Sequence, residues 1–213
     1  MKRHDRRGLA IVAVVTLVLF AALAVWAKYL SPADWEIKAL NTLAAQPDPL
    51  GAVVTVLNGL GNLPVWAVVI LVTSLVVWRV RGVPAAVLVA LTIASDAVAF
   101  LVKVIVERDR PDTPVVHEFF GPDNFSYPSG HTVRATALLA VLIWLFVPAR
   151  LRLPLAVIGG AIAGLVMGYA RVSLGVHWPT DVIGGTLLGL GWFAVTAALI
   201  WVQPREKDER PEG

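Results

Sequence analysis

The 213-residue chain contains no cysteine, which removes disulfides, thiolate metal sites and cysteine nucleophiles together. Charge is scarce as well. Only 15% of the residues are Asp, Glu, Lys or Arg, where a soluble domain carries about 25%. There is no internal repeat, and no basic stripe interleaved with aromatics, which argues against a solenoid and against a nucleic-acid surface. What the chain has in abundance is apolar side chains, at 57% of its residues. Such a chain buries its surface only if lipid does part of the burying, so it is a membrane protein by class. The length fits one bundle and leaves no room for a second domain. The formal net charge of +3 reads as anchoring at a cytoplasmic membrane face.

Leu9–Ala27 is an unbroken apolar run long enough to cross a hydrocarbon core. Further apolar segments cover Leu63–Trp78, Val83–Val106, Thr132–Val147, Leu153–Met167 and Val182–Val202. The third contains Asp96 and Lys103, and the fourth Arg134. Bare backbone is not tolerated in lipid, so each segment must be helical. The expected fold is an all-α bundle of six transmembrane helices. Residues 1–8 form a cytoplasmic tail, 9–202 the membrane domain and 203–213 a charged cytoplasmic tail. The first segment admits a second reading, as a cleaved signal peptide. Lys2, Arg3, Arg6 and Arg7 precede it and Ala22-Leu23-Ala24 resembles a cleavage site, although the apolar run continues beyond.

Lysine and arginine set the orientation. With the N-terminus inside, the cytoplasmic segments hold Lys2, Arg3, Arg6, Arg7, Arg79, Arg81, Arg150, Arg152, Arg205, Lys207 and Arg210. The other side keeps Lys28, Lys38, Lys103, Arg108, Arg110, Arg134 and Arg171, in clusters that call for an explanation of their own. Between the first two spans, Ser31-Pro32 and Asp48-Pro49 each read as a cap followed by proline at the first helical position. The second opens a one-sided apolar pattern, Leu50, Val53, Val54 and Leu57. Two short interfacial helices and a packed connecting loop both fit. Trp26, Trp66, Trp78, Trp178 and Trp201 lie near span ends, as in an aromatic belt. Gly160, Gly164 and Gly168, then Gly185 and Gly189, recur every fourth residue, a spacing that permits close helix approach.

Three polar clusters fall at the outer ends of spans three to six. The first runs from Lys103 to Arg110-Pro111, the second is Pro128-Ser129-Gly130-His131, and the third is Arg171, His177 and Asp181. Each has a plain explanation by itself: lipid-facing anchors for Lys103 and Arg110, a helix cap for Pro-Ser-Gly, a structural loop histidine for His177. Topology places all three on one side. Together they supply three cations, two histidines, a carboxylate and a helix N-terminus, the inventory of a phosphoryl site.

Lys-x6-Arg-Pro, Pro-Ser-Gly-His and Arg-x5-His-x3-Asp, in this order, resemble the type-2 phosphatidic acid phosphatase superfamily, which includes the vanadium haloperoxidases. The motifs run from Lys103 to Asp181, and the six-span plan extends the resemblance over nearly the whole chain. The resemblance implies His177 as nucleophile, forming a phosphohistidine, with Asp181 holding its other ring nitrogen. It implies His131 as general acid and then base. Lys103, Arg110, Arg171, Ser129 and the Gly130 backbone N–H would bind phosphate, without a metal or other cofactor. One position departs from the family pattern: Ala170 stands where a serine usually precedes the arginine, removing a hydroxyl donor.

Asp96 lies two helical turns before Lys103 on the same face. A buried Asp96–Arg134 pair beneath the phosphate site is one reading of the two charges, and independent snorkelling of Arg134 the other. The Glu107–Pro128 segment is long for a structureless connection. Its Phe119, Phe120, Phe125 and Tyr127 suit the membrane interface, and His117 reads as a surface residue. The expected substrate is an amphiphilic lipid phosphate: the resemblance offers undecaprenyl diphosphate, phosphatidic acid and phosphatidylglycerol phosphate. Membrane lipids are the other partner, nucleic acid is not expected, and the oligomeric state is left open. Two rivals remain: a phosphotransferase passing phosphate to a non-water acceptor, and a lipid-binding or transport protein that uses the cations only to hold a headgroup.

Overall fold

The computed structural model describes residues 3–44, 51–120 and 124–200; Asp48, Pro49, Leu50, Trp201 and the tail from 203 lie outside them. The described residues form helices and no strand: α1 (Arg3–Tyr29), α2 (Asp34–Ala44), α3 (Gly51–Leu60), α4 (Leu63–Arg81), α5 (Val83–Ala90), α6 (Ser95–Val106), α7 (Pro114–Phe119), α8 (Gly130–Phe146), α9 (Ala149–Ser173) and α10 (Pro179–Leu199).

Among the described residues, five helical stretches are long and apolar enough to cross a membrane: Asp5–Tyr29, Leu63–Arg81, Val83–Val106, Ala149–Ser173 and Pro179–Leu199. Apolar α8 has 17 residues, roughly 25 Å of helix, and falls just short. Charge does not end these helices where the hydropathy does. Helix α4 continues to Arg81 beyond the apolar segment expected to end at Trp78, and α9 runs from Ala149 to Ser173 rather than from Leu153 to Met167. Main-chain hydrogen bonding is indifferent to side-chain polarity, and long cationic side chains reach back to water. Helix α10 begins at Pro179, whose missing N–H is no loss in a first turn.

Two expected elements differ. The third span is not one helix: a 3-10 turn, Leu91–Ala94, separates α5 from α6. Thr92 Oγ1 donates to the Val89 carbonyl at 2.7 Å and Ser95 Oγ to the Thr92 carbonyl at 2.6 Å, hydroxyl bonds that compete with the helical ladder. The Leu91 carbonyl accepts instead from Trp192 Nε1 at 2.8 Å. The helix expected from Pro32 starts at Asp34, because the reciprocal cap comes from Glu36, whose Oε2 accepts from the Ala33 N–H at 3.1 Å.

Helices α8, α9 and α10 pack at the centre. Two-thirds of the apolar stretch of α10 is buried, against 17% for α4. Gly185 permits the approach of α8 to α10: a Cβ there would stand 2.7 Å from the Ser129 carbonyl oxygen and 2.9 Å from Thr132 Cβ. Gly164 likewise sits against Thr136 and Thr186. Helix α1 joins this core through Leu9, Phe20 and Ala27, and its backbone is helical throughout Ala22-Leu23-Ala24. The outer faces stay apolar, as with Val18 (62%), Leu71 (59%), Leu101 (60%) and Ile162 (55%), which is the surface of a protein that lipid covers. The described tryptophans at helix ends differ in their surroundings. Trp66 is buried in the core, Trp78 is exposed, and Trp26 and Trp178 flank the Arg108 guanidinium at 5.3 and 5.8 Å.

The chain reversals sort the polar groups by bundle end. One end ties Asp5 of α1 to Arg152 of α9 at 2.5 Å and sets Arg81 over Phe146. The other gathers the C-termini of α1, α6 and α9 and the N-termini of α8 and α10, with Lys28 donating to the Ile105 carbonyl at 2.5 Å.

Candidate active site

The site grows from the first turn of α10. Asp181 is the third residue of that helix, and its Oδ2 accepts from the Trp178 backbone N–H at 2.9 Å, satisfying a free helix-terminal donor. The same oxygen lies 3.1 Å from His177 Nδ1. On the far side of the ring, His177 Nε2 is 3.3 Å from Arg110 Nη1. These neighbours decide the tautomer. A carboxylate only accepts and a guanidinium only donates, so Nδ1 carries the hydrogen and Nε2 presents a lone pair. The ring is 2% exposed. Burial, with the positive charges of Arg110, Lys103, Arg171 and His131 around it, holds the imidazole well below its ordinary pKa, so it stays neutral.

Arg110 is fixed as a fork. Its Nε donates to the Asn124 carbonyl at 2.8 Å, Nη1 to the Val176 carbonyl at 2.6 Å and Nη2 to Asn124 Oδ1 at 2.9 Å, with the guanidinium 4.0 Å from the centre of the Phe120 ring. Burial lowers its pKa to about 10, which leaves it cationic at neutral pH. Lys103 Nζ donates to the carbonyls of Phe125 at 2.6 Å and Ser126 at 3.1 Å. Arg171 Nη1 donates to Asn58 Oδ1 of α3. Ser129 is fully buried at the N-cap of α8; its N–H donates to the Asp181 carbonyl at 3.0 Å, and its Oγ accepts from Thr132 Oγ1 at 3.0 Å. Gly130 opens the helix and half-buried His131 follows, its ring against Gly61 and its Nε2 unbonded to any described residue.

The structure thus brings Lys103, Arg110, Arg171 and His131 around His177, and attaches Ser129 to Asp181 through the backbone. Directly beneath, Arg134 Nε donates to Asp96 Oδ1 at 2.6 Å, and Arg134 Nη1 donates to the Gly61 carbonyl. A groove of about 360 Å³ opens here, lined by Leu63, Asp96, Phe100, Lys103, Phe125 and Arg134. His117 is exposed beside Asp112. Tyr127 is not at the interface: it is fully buried, stacked on Phe20, with its hydroxyl donating to the Phe20 carbonyl at 3.1 Å. Phe120 lies against the Arg110 guanidinium. The Phe119 side chain is outside the described residues. Ala170 is fully buried in α9.

Three polar groups at the site escape the motif reading. Arg108 Nη1 donates to Asp181 Oδ1 at 2.8 Å, Glu36 of α2 pairs with the other end of that guanidinium at 3.1 Å, and Asn58 holds Arg171. Arg108 carries a signal in the sequence, as an outer-side cation two residues before Arg110. Nothing in the local sequence marks Glu36 beyond its cap position, or Asn58 at all.

The family model of the PAP2 superfamily matches residues 84–205, more than half of the chain. The chain is 43% identical over 91 residues to phosphatidylglycerophosphatase B of Bacillus subtilis, covering 40% of this chain and 42% of that protein. It is 37% identical over 84 residues to an undecaprenyl-diphosphatase of Sulfolobus acidocaldarius, covering 37% of this chain and 35% of that protein. The matches therefore span less than half the length of either relative. Among solved structures, the chain is similar to a transmembrane PAP2-type phosphatidylglycerolphosphate phosphatase from Bacillus subtilis. The TM-score is 0.73 with 26% identity, over 88% of this chain and 94% of that one.

Proposed function

The chain belongs to the PAP2 superfamily, and on that premise we propose that it is an integral membrane phosphatase that hydrolyses a lipid phosphate or diphosphate through a phosphohistidine on His177. One observation carries the reading: His177 Nε2 presents its lone pair beside Arg110 while Asp181 takes Nδ1–H. In the first step Nε2 attacks phosphorus, the bond to the leaving oxygen breaks, and His131 gives that oxygen a proton. Asp181 then faces an imidazolium. In the second step His131 removes a proton from water, the water oxygen attacks the phosphohistidine, and inorganic phosphate leaves with His177 restored. Lys103, Arg110 and Arg171 neutralise the phosphoryl oxygens as charge spreads over them, assisted by Ser129 and the first N–H of α8. These fixed cations take the part that Mg²⁺ has in other phosphoryl-transfer sites, so no metal is required.

Helix α8 crosses with the five longer stretches, giving six spans, and α2 and α3 lie at the interface over the site end. The basic end, with Arg81 and Arg152, is cytoplasmic by the positive-inside rule, so both termini are inside and the site opens outside. The groove beside Lys103, walled by Phe100 and Leu63, suits a substrate whose headgroup is polar and whose tail stays in lipid. Undecaprenyl diphosphate, phosphatidic acid and phosphatidylglycerol phosphate are the candidates. Two of the relatives bear the names of such enzymes, and the outward site favours undecaprenyl diphosphate.

The test is phosphate release from a panel of lipid phosphates by the purified protein in detergent. His177→Ala should abolish turnover and EDTA should leave it intact. Full activity in His177→Ala would end the assignment, and loss in EDTA would overturn the metal-free scheme. Inclusion of sugar or lipid acceptors separates hydrolysis from phosphotransfer.

A further inference from the structure

We propose that Glu36 and Arg108 are positioning residues for the reaction, acting through Asp181: α2 supplies a second buried carboxylate that keeps Asp181 free to stabilise a charged His177. The inference rests on the phosphatase reading above and extends it to two residues outside the three motifs. Glu36 also lies outside the stretch that the family model matches.

The contacts form one continuous buried chain. Asp181 and Glu36 are both fully buried, and Arg108 is 5% exposed between them. Arg108 Nη1 donates to Asp181 Oδ1 at 2.8 Å and to Thr180 Oγ1 at 2.5 Å, while Nη2 donates to Glu36 Oε2 at 3.1 Å and Oε1 at 3.3 Å. Thr180 passes its own hydroxyl hydrogen to Glu36 Oε1 at 2.5 Å and its N–H to the same oxygen at 3.3 Å. Glu36 Oε2 takes the Ala33 N–H as well. Glu36 therefore secures the first turns of α2 and α10 with one carboxylate. The Trp26 and Trp178 rings, 5.3 and 5.8 Å from the guanidinium, hold Arg108 in place between them.

Charge balance gives this chain a catalytic consequence. Arg108 alone beside Asp181 would form a neutral pair with no net charge to offer the ring. Two carboxylates on one guanidinium leave a net negative charge, buried and directed at His177. When Nε2 bonds to phosphorus the ring becomes an imidazolium that keeps its Nδ1 proton, buried beside the positive charges of Arg110, Lys103 and Arg171. That step is where the extra negative charge acts, since an interaction made only as charge develops lowers the barrier without altering substrate binding. A group that merely caps two helices would not single out that step.

The experiment is a double-mutant cycle on phosphate release in detergent, with kcat and KM measured separately. Glu36→Gln preserves the volume and removes the charge. It should lower kcat about 10- to 100-fold with KM within about twofold of the parent. In an Asp181→Asn background the same change should cost less than about threefold, because the group through which it acts is gone. Equal losses in the two backgrounds, or a loss confined to KM, would overturn the inference. If Glu36→Gln does not fold, the cycle is read on Arg108→Lys, which keeps the charge but cannot bridge two carboxylates; the same two outcomes then support or overturn it. A parent protein that releases no phosphate from any lipid sinks the phosphatase reading itself, whereas an uncoupled cycle in an active protein removes this inference alone.

Discussion

Gly185→Ala isolates the contact on which the catalytic geometry depends. The added methyl would stand 2.7 Å from the Ser129 carbonyl oxygen, backbone that cannot rotate away, and 2.9 Å from Thr132 Cβ on the same turn of α8. Ordinary contact begins near 3.4 Å, so α8 must retreat from α10 by several tenths of an ångström. The retreat strains the 3.0 Å bond from the Ser129 N–H to the Asp181 carbonyl and carries Ser129, Gly130 and His131 away from His177. A displacement approaching 1 Å at a reacting group costs on the order of 10²-fold in rate. Overpacking of this kind costs about 1–3 kcal/mol in stability. The expected result is a folded protein with a lower melting temperature and kcat/KM reduced by about 10- to 100-fold. Gly59→Ala is the control, because a methyl there meets nothing within 4 Å. The measurement is lipid-phosphate hydrolysis with thermal unfolding in the same detergent. Parental kcat/KM in Gly185→Ala would refute the argument that this approach sets the geometry.

Other consequences are equally direct. The rate should fall on an acid limb that lies below the ordinary imidazole value of about 6.5, because protonation of Nε2 removes the nucleophile and burial delays that protonation. An acid limb at or above that value would contradict a buried nucleophile held neutral by its cationic neighbours. Asp96→Asn and Arg134→Met should each destabilise the protein, and a double-mutant cycle should return a coupling of about 0.5–3 kcal/mol; zero coupling would show that the 2.6 Å pair does not act as one. Asn58→Ala frees the Arg171 guanidinium from its amide. It should tighten inhibition by inorganic phosphate about fivefold, the worth of one hydrogen bond near 1 kcal/mol, and unchanged or weaker inhibition would dispose of the competition.

The amount legible in the sequence differed sharply between residues. Lys103, Arg110, His131, Arg171 and His177 could be placed together because lipid forces apolar runs into helices, and counting reversals then assigns each polar cluster to an end. The bond from the Trp178 N–H to Asp181 is local, three residues apart at the start of α10, and it gives that carboxylate a capping role beside its place at His177. Span ends were less legible. Arg81, Arg150, Arg152 and Arg171 interrupt the hydropathy but not the helix. The 3-10 turn before Asp96 depends on Thr92, Ser95 and the distant Trp192 acting together. Tyr127 read as interfacial from its aromatic neighbours, yet packing against Phe20 and Gly184 made it core.

The membrane solvent, the helical class and the gathering of the polar clusters at one end of the bundle follow from residue order, because periodicity and hydropathy are local properties. Only the tertiary structure decided which buried charge met which. Glu36 and Arg108 are 72 residues apart, and their meeting at Asp181 depends on how α2 docks against α9 and α10. Electrostatic partners in a low-dielectric interior are chosen by such docking, and spacing along the chain does not encode it.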